Sequence, residues 1–482
     1  MSACPTIAII GGGFSGAMAA VHLCRTLPAD HQIVLIERRG GFGRGAAYAE
    51  TAAPHLLNVR SGNMSAWPDQ PAHFDTWLAT RPEAAGEIML SDCGAFATRR
   101  LYGRYLRSLL YAAIQDSAGR VRLVFDEVTS LAQHGARYLL NCRSGREIDC
   151  SGVVLGLGNL SDSAPGCGVV FNDPWCDAAT ARLSADSPVL IIGTGLTMVD
   201  LVLGLEARGH QGPILAVSRR GLVPSAHKPI ARPWTTPDFT ETERRSLPAL
   251  LRRVRNEVRQ AASEGVNWRA VIDSLRPITA TLWQGLPEAE RRRFLRHLRP
   301  FWDIHRHRMA PSSADRLAAL RRSGQLELRR GRLLDVSVAN GQAQAKLRLR
   351  GEPTPQTVAV QRVIHATGIR PAGAQNSLIR SLIDQGLARI DTLGLGLAVS
   401  PDLALLGTDG KTSPGLWALG PIVHGTFWEC TAVPDIRLQA QRLAERIAGG
   451  AGGEGSKVGL RPNPPRAEPL EPIRLLNDIG GY

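Results

Sequence analysis

The run Gly11-Gly12-Gly13-Phe14-Ser15-Gly16 constrains this chain more than any other feature. It follows Thr6-Ile7-Ala8-Ile9-Ile10, an apolar run rich in β-branched residues that reads as a buried strand. It opens Ala17-Met18-Ala19-Ala20-Val21, a strong helix-forming run. A second strand, Ile33-Val34-Leu35-Ile36, ends in Glu37. A G-x-G-x-x-G turn alone is common, but between strand and helix, with an acid closing the next strand, it reads as a dinucleotide site. Gly11 permits the sharp turn, Gly13 lets a pyrophosphate approach the backbone, and Gly16 lets the helix pack on the strand. The helix N-terminus, from Phe14 and Ser15 onward, offers free N–H groups and positive dipole to the phosphates. Glu37 suits an unmodified adenosine ribose and would repel a 2′-phosphate.

A second unit of the same architecture begins much later. Val189-Leu190-Ile191-Ile192 reads as a strand, Gly193-Thr194-Gly195 as a turn, and Leu196 to Leu205 as a helix. The third glycine position holds Met198, whose bulk should push the helix away from the strand. The next strand, Ile214-Leu215-Ala216-Val217, ends in Ser218-Arg219-Arg220 in place of an acid. A hydroxyl and two guanidinium groups suit a 2′-phosphate, which arginine binds through charge-assisted, bidentate contacts. One site for an unphosphorylated ribose and one for a 2′-phosphate indicate FAD and NADPH.

These units predict an α/β fold with two Rossmann-like dinucleotide-binding domains. The FAD domain is discontinuous: residues 1–165 form its first part and 356–447 its second. The NAD(P)H-binding domain spans 185–355 and carries a helical insertion over about 238–325. A Ser-, Asp-, Pro- and Gly-rich crossing at 161–187 joins the two domains, and 448–482 reads as a flexible tail. The chain has 482 residues with 44% hydrophobic and 21% charged, the balance of a soluble globular protein. The first residues lack the basic start and long apolar stretch of an export signal, so the expected location is the cytoplasm. No apolar run reaches the roughly 18–20 residues a membrane span needs.

Further runs along the chain give it a family resemblance: Gly43 through Tyr48, His55 through Val59, Met64 through Asp69, Gly193 through Asp200, Ser218 through Leu222, Trp302 through His307 and Gly420 through Arg437. With them the chain resembles the two-dinucleotide-binding-domain flavoproteins. More narrowly it is similar to the bacterial FAD-NAD(P)-binding family, and distantly to flavin-dependent N-hydroxylating monooxygenases. The resemblance implies that Arg44, Asn58, Met64 and Ser65 lie near the isoalloxazine or its ribityl chain. Within the last motif, Leu416-Trp417-Ala418-Leu419 reads as a strand ending at Gly420, and Pro434 suits the first turn of a helix. That helix N-terminus could stabilise negative charge on reduced flavin. Asp435 could hydrogen-bond the ribityl chain or cap the helix.

Fifty-seven basic against 43 acidic residues give a net charge of +14. Much of the excess lies in the insertion, at Arg252, Arg253, Arg255, Arg259, Arg291, Arg292, Arg293, Arg296 and Arg299. Leu250, Leu251, Val254 and Val258 recur there at helical spacing, so the arginines read as the wet side of amphipathic helices. Aromatic residues are only 5% of the chain, too few for the stacking surface of a nucleic-acid binder. The expected partner is a small-molecule substrate, with neither nucleic acid nor membrane. The eight cysteines include no C-x-x-C, and none pairs with another beside the first helix, so disulfide reduction is not expected. His305-Arg306-His307 has the spacing of one face of a strand, but no further ligands complete a metal site. The expected activity is FAD-dependent oxidation of NADPH. The electrons pass to oxygen, with N-hydroxylation of a substrate, or to another acceptor without oxygen insertion; a non-catalytic redox sensor is the third reading. No catalytic acid or base can be assigned from the sequence.

Overall fold

A computed structural model of the protein describes residues 4–49, 55–159, 168–368 and 376–451. The chain begins with β1 (Thr6–Ile10), α1 (Phe14–Thr26) and β2 (Gln32–Ile36), then runs through α2 (Arg99–Asp116), β3 (Val121–Val124) and β4 (Gly152–Leu155). It crosses to β5 (Val170–Phe171), β6 (Val189–Ile192), α3 (Leu196–Ala207) and β7 (Ile214–Ser218). The insertion follows as α4 (Glu241–Arg245), α5 (Leu247–Ser263), α6 (Trp268–Ser274), α7 (Thr279–Gly285), α8 (Glu288–His297), α9 (Arg299–Arg306) and α10 (Pro311–Arg322). After it come β8 (Leu326–Ala339), β9 (Gln342–Leu349), β10 (Gln356–Val360) and β11 (Arg362–His365). The chain then returns through α11 (Ser377–Asp384), β12 (Ala404–Leu406), β13 (Thr412–Ala418) and α12 (Val433–Ala451).

Among the described residues two main sheets form. The first has the order β12-β13-β4-β1-β2-β3, and all its pairs are parallel except β12 with β13. Ile7 through Ile10 are buried, as a central parallel strand covered on both faces requires. α1 packs against α12, so the end of the chain completes the domain that the beginning started. Ile436, Ala440, Leu443 and Ile447 are all buried along that helix, at the spacing read from the sequence.

The second sheet has the order β5-β11-β6-β7-β8-β9-β10. Its first five strands are parallel, and β8, β9 and β10 form an antiparallel meander. This moves a domain boundary. The strand at 362–365, expected to start the second part of the FAD domain at 356, pairs with β6 instead and belongs to the NAD(P)H-binding domain. Its buried Val363 and Ile364 would suit the centre of either sheet, so composition gives no sign of which one it joins. The expected crossing likewise contributes β5 to the edge of the second sheet. Its residues 160–167 lie outside the described residues, as does the tail from 452, while α12 carries the chain through 448–451.

The insertion is an amphipathic layer. On α5, Leu250 and Val254 pack with Phe239, Ile272, Leu275 and Leu282, whereas Arg252, Arg255 and Arg259 are exposed. Among the described residues, no helix is long and apolar enough to cross a membrane.

Candidate functional site: two dinucleotide cradles

The first turn is closed by glycines that tolerate no side chain. Gly11 has φ +101°, and a Cβ on it would stand 2.5 Å from the carbonyl oxygen of Gly156, just beyond β4. A Cβ on Gly16 would lie 1.8 Å from the carbonyl oxygen of Gly11. The N-terminus of α1 is therefore seated on the ends of β1 and β4. Gly13 is different: the nearest atom to its Cβ position is Cα of Gly45, at 3.5 Å. The protein itself does not demand glycine there, which fits a position kept bare for a ligand. Glu37 closes the cradle. Its carboxylate accepts the Gly12 N–H at 2.8 Å and the Arg39 N–H at 2.9 Å. Each oxygen retains a lone pair, so the fixed carboxylate can still accept from ribose hydroxyls.

The other expected flavin-side residues surround this turn. Gly43 donates its N–H to the Gly12 carbonyl, holding the Gly43–Tyr48 loop beside α1, and the stem of Arg44 packs against Gly103 of α2. Gly420 has φ +79°, and Ser15 Oγ would lie 2.3 Å from a Cβ on it, so the C-terminal motif closes directly on the first turn of α1. Met64 and Ser65 are buried. The Ser65 hydroxyl is bonded within its own turn, to Trp67 and Gln70, and its carbonyl accepts Arg437 Nη1 at 2.6 Å. Ser65 thus shapes the wall of the site and spends its polar groups on the protein. The carbonyl of Asn58 accepts the Nε2–H of His227 at 3.0 Å, tying the second domain to the first.

Asp435, expected to hydrogen-bond the ribityl chain or to cap the helix, has a partner in the protein. It stands in the first turn of α12, but its carboxylate pairs with Arg276 of the insertion at 2.8 Å. Burial outweighs Arg276 and pushes its carboxyl above the usual range. This pair belongs to a seam between the insertion and the C-terminal motif. Trp302 Nε1 donates to Glu429 at 3.0 Å, Arg306 stands 3.2 Å from the same carboxylate, and Trp283 Nε1 donates to the Gly425 carbonyl at 2.9 Å. Burial disfavours the charge of Glu429, yet Arg306, His307 and the indole N–H hold its carboxyl below the usual range. Desolvation lowers His227 and His424 to about 4, so both imidazoles are neutral near pH 7. The sequence had marked Trp302–His307 and Gly420–Arg437 separately. It carried no signal that they meet, because the partners lie more than a hundred residues apart.

The second turn repeats the logic with one change. A Cβ on Gly193 would stand 2.2 Å from the Ala366 carbonyl oxygen at the end of β11. A Cβ on Gly195 would meet no atom beyond its chain neighbours within 4 Å, so the approach to the N-terminus of α3, which starts at Leu196, is open. Met198 is fully buried in the core of this domain, among Ile191, Val202 and Ile214, which accommodates the bulk that the motif predicted to be disruptive. The Thr194 hydroxyl donates to the Leu222 carbonyl and lies 2.8 Å from Ser218 Oγ, which also accepts the Gly221 N–H. Arg220 lies over the ring of Phe301, 5.1 Å from its centroid, and donates to the Arg296 carbonyl. Arg219 is exposed beside it.

One further expectation is settled by secondary structure. His305 and Arg306 end helix α9, and the ring of His305 packs on Trp268 with its Nδ1 bonded to the Phe301 carbonyl. The strand spacing read for His305 and His307 is therefore not realised. Among the described residues no group of three or more potential metal ligands gathers. Asp200 of α3 is buried and pairs with Arg99 of the first domain at 3.1 Å.

Residues 8–160 match the family described as FAD-NAD(P)-binding. Uncharacterised proteins of Mycobacterium tuberculosis and Mycobacterium bovis are 23% identical over 92% of this chain and 95% of theirs. In overall shape the chain is similar to the ornithine N-hydroxylase of Kutzneria sp. 744, with a TM-score of 0.61 and 14% identity over 92% of this chain and 99% of that one. It is similar also to the ornithine hydroxylase of Pseudomonas aeruginosa (0.62, 14%, 93% and 99%) and to the L-lysine 6-monooxygenase of Pseudomonas syringae (0.59, 16%, 92% and 99%). The protein has the two-dinucleotide-binding-domain flavoprotein fold, built on an FAD-NAD(P)-binding first domain. FAD and NADP are the cofactors that fold accommodates, and the glycine cradles of this chain fit them.

Proposed function

We propose that this protein is an FAD-dependent NADPH oxidoreductase that uses dioxygen to hydroxylate a nitrogen of a small amine. The balance is R–NH2 + O2 + NADPH + H+ → R–NHOH + H2O + NADP+. FAD held against the α1 N-terminus would supply the redox chemistry that side chains lack, namely hydride acceptance from NADPH and electron transfer to dioxygen. The chain's own work is positioning and exclusion of water. The α1 N-terminus and Glu37 hold one dinucleotide, and the Gly193–Gly195 turn holds the other. Neutral His424 adds no positive charge beside Glu429.

The observation that carries this reading is the seam itself. Through Arg276–Asp435, Trp302–Glu429 and Trp283–Gly425, the NAD(P)H-binding domain is bonded directly to the motif that closes over α1. Such bonding favours a fixed approach of two dinucleotides, and orientation of this kind is a large source of rate. Thiol chemistry receives no comparable support. Burial raises Cys24 to about 11 and Cys150 to about 12 and pushes Cys430 far up, so these thiols stay protonated and are poor nucleophiles.

The test is aerobic turnover of the FAD-loaded protein with NADPH and a panel of primary amines, amino acids included. Hydroxylamine formed in step with NADPH consumed supports the reading. Stoichiometric hydrogen peroxide with every amine, and no hydroxylamine, would leave an NADPH-dependent flavin reductase without oxygen insertion.

A further inference from the structure

We infer that the 2′-phosphate of NADPH is gripped by Arg219 together with Arg330, a residue from the next strand, and not by the contiguous Ser218-Arg219-Arg220 run. This rests on the NADPH reading and names the residues that give it selectivity.

Proton bookkeeping removes Ser218 first. The Thr194 hydroxyl has one proton, and the Leu222 carbonyl takes it. The bond between Thr194 and Ser218 must then be donated by Ser218. Since Ser218 Oγ also accepts the Gly221 N–H, its hydroxyl is committed to building the turn and has no proton left for a phosphate. Arg220 is committed as well. Its guanidinium covers the face of Phe301 and donates to the Arg296 carbonyl, both in the insertion. Of the expected trio, only Arg219 is exposed with no hydrogen bond or ion pair among the described residues.

Arg330 supplies what is missing. β7 and β8 run parallel in the register Ser218↔Arg330, which sets Arg330 beside the carboxyl end of β7. Ligands of open α/β sheets bind at that end. Gly221 has φ +61°, and a Cβ there would meet Arg330 Cγ at 2.8 Å, so the 219–221 loop lies directly on the arginine stem. The neighbouring Arg329 is neutralised by Glu327 and Glu352. Arg330 is exposed and has no ion pair among the described residues. Two uncommitted guanidinium groups, one belonging to the 219–221 loop and one on the stem that this loop lies against, are a fitting partner for a dianionic phosphate. Sequence reading misses Arg330 because it lies 110 residues beyond Arg220, past the whole insertion.

The test is calorimetric titration of the FAD-loaded protein with 2′,5′-ADP and with 5′-AMP. The wild type should bind 2′,5′-ADP at least about tenfold more tightly, and Arg330→Ala should lose about tenfold for 2′,5′-ADP alone. Unchanged 5′-AMP affinity in that variant shows that the adenosine site is intact, and Arg330→Lys should recover part of the loss. Arg220→Ala should alter the ratio of the two affinities far less than Arg330→Ala does. Retained preference in Arg330→Ala, or its collapse in Arg220→Ala alone, overturns the assignment. Equal affinities in the wild type would remove the NADPH reading itself, and with it this one.

Discussion

Two glycines at different positions of the two cradles, Gly16 and Gly195, should respond oppositely to one added methyl group. Gly16→Ala puts a Cβ 1.8 Å from the Gly11 carbonyl oxygen, where ordinary contact begins at 3.4 Å. Backbone stands on both sides of the clash, so α1 must move by about 1.6 Å or the turn must open. Overpacking of this kind costs at least about 1–3 kcal/mol. At 2–4 °C per kcal/mol for domains of this size, the melting temperature should fall by roughly 2–12 °C. The same displacement should also cost FAD retention. Gly195→Ala meets nothing within 4 Å, and its φ of −82° is allowed for alanine. Lost backbone entropy in the unfolded chain and a poorer helix cap nearly cancel, within about 1 kcal/mol. Its methyl group occupies the space a pyrophosphate must use, so NADPH affinity should fall by about tenfold to a hundredfold, the worth of one or two charge-assisted hydrogen bonds. Thermal unfolding and equilibrium titration of both variants measure the contrast. A destabilised Gly195→Ala protein with normal NADPH affinity would refute the idea that its bare surface exists for a ligand.

Other outcomes follow from the seam and the buried histidines. Arg276→Ala leaves the Asp435 carboxylate without its partner and should cost about 3 kcal/mol in urea unfolding, much of which Asp435→Asn should restore in the double variant. Burial lowers His22, His227 and His424 from 6.5 to about 4, so the unfolded chain takes up protons that the native one refuses between those values. Their contribution is therefore fully present above about pH 6.5 and is lost as pH falls towards 4, by up to about 3 kcal/mol for each histidine. Urea midpoints unchanged between pH 7.5 and 5 would contradict these burials. Arg99→Ala should leave Asp200 unpaired at the domain seam and destabilise by about 2–3 kcal/mol, a loss that Asp200→Asn should reduce.

Local chemistry made much of this fold legible. The glycine turns, the acid at Glu37 and the helical spacing of Ile436, Ala440, Leu443 and Ile447 each act within a few residues, and each is found in the structure. Register and partner choice were not legible. Val363 and Ile364 would pack equally well in either sheet, and only pairing with β6 decides between them. Asp435 stood at a helix start, and nothing near it announced Arg276, 159 residues away, as its partner. Ser218 and Arg220 were plausible phosphate ligands by type. Their commitment to Thr194, Gly221 and Phe301 emerges only when the loop is folded against its neighbours.

The most direct test of the account is anaerobic addition of NADPH to the FAD-loaded protein, followed by its visible spectrum. The account predicts loss of the roughly 450 nm band of oxidised flavin, faster with NADPH than with NADH at equal concentration. A protein that folds correctly yet fails to take up FAD, or whose bound flavin keeps its colour under NADPH, would contradict it.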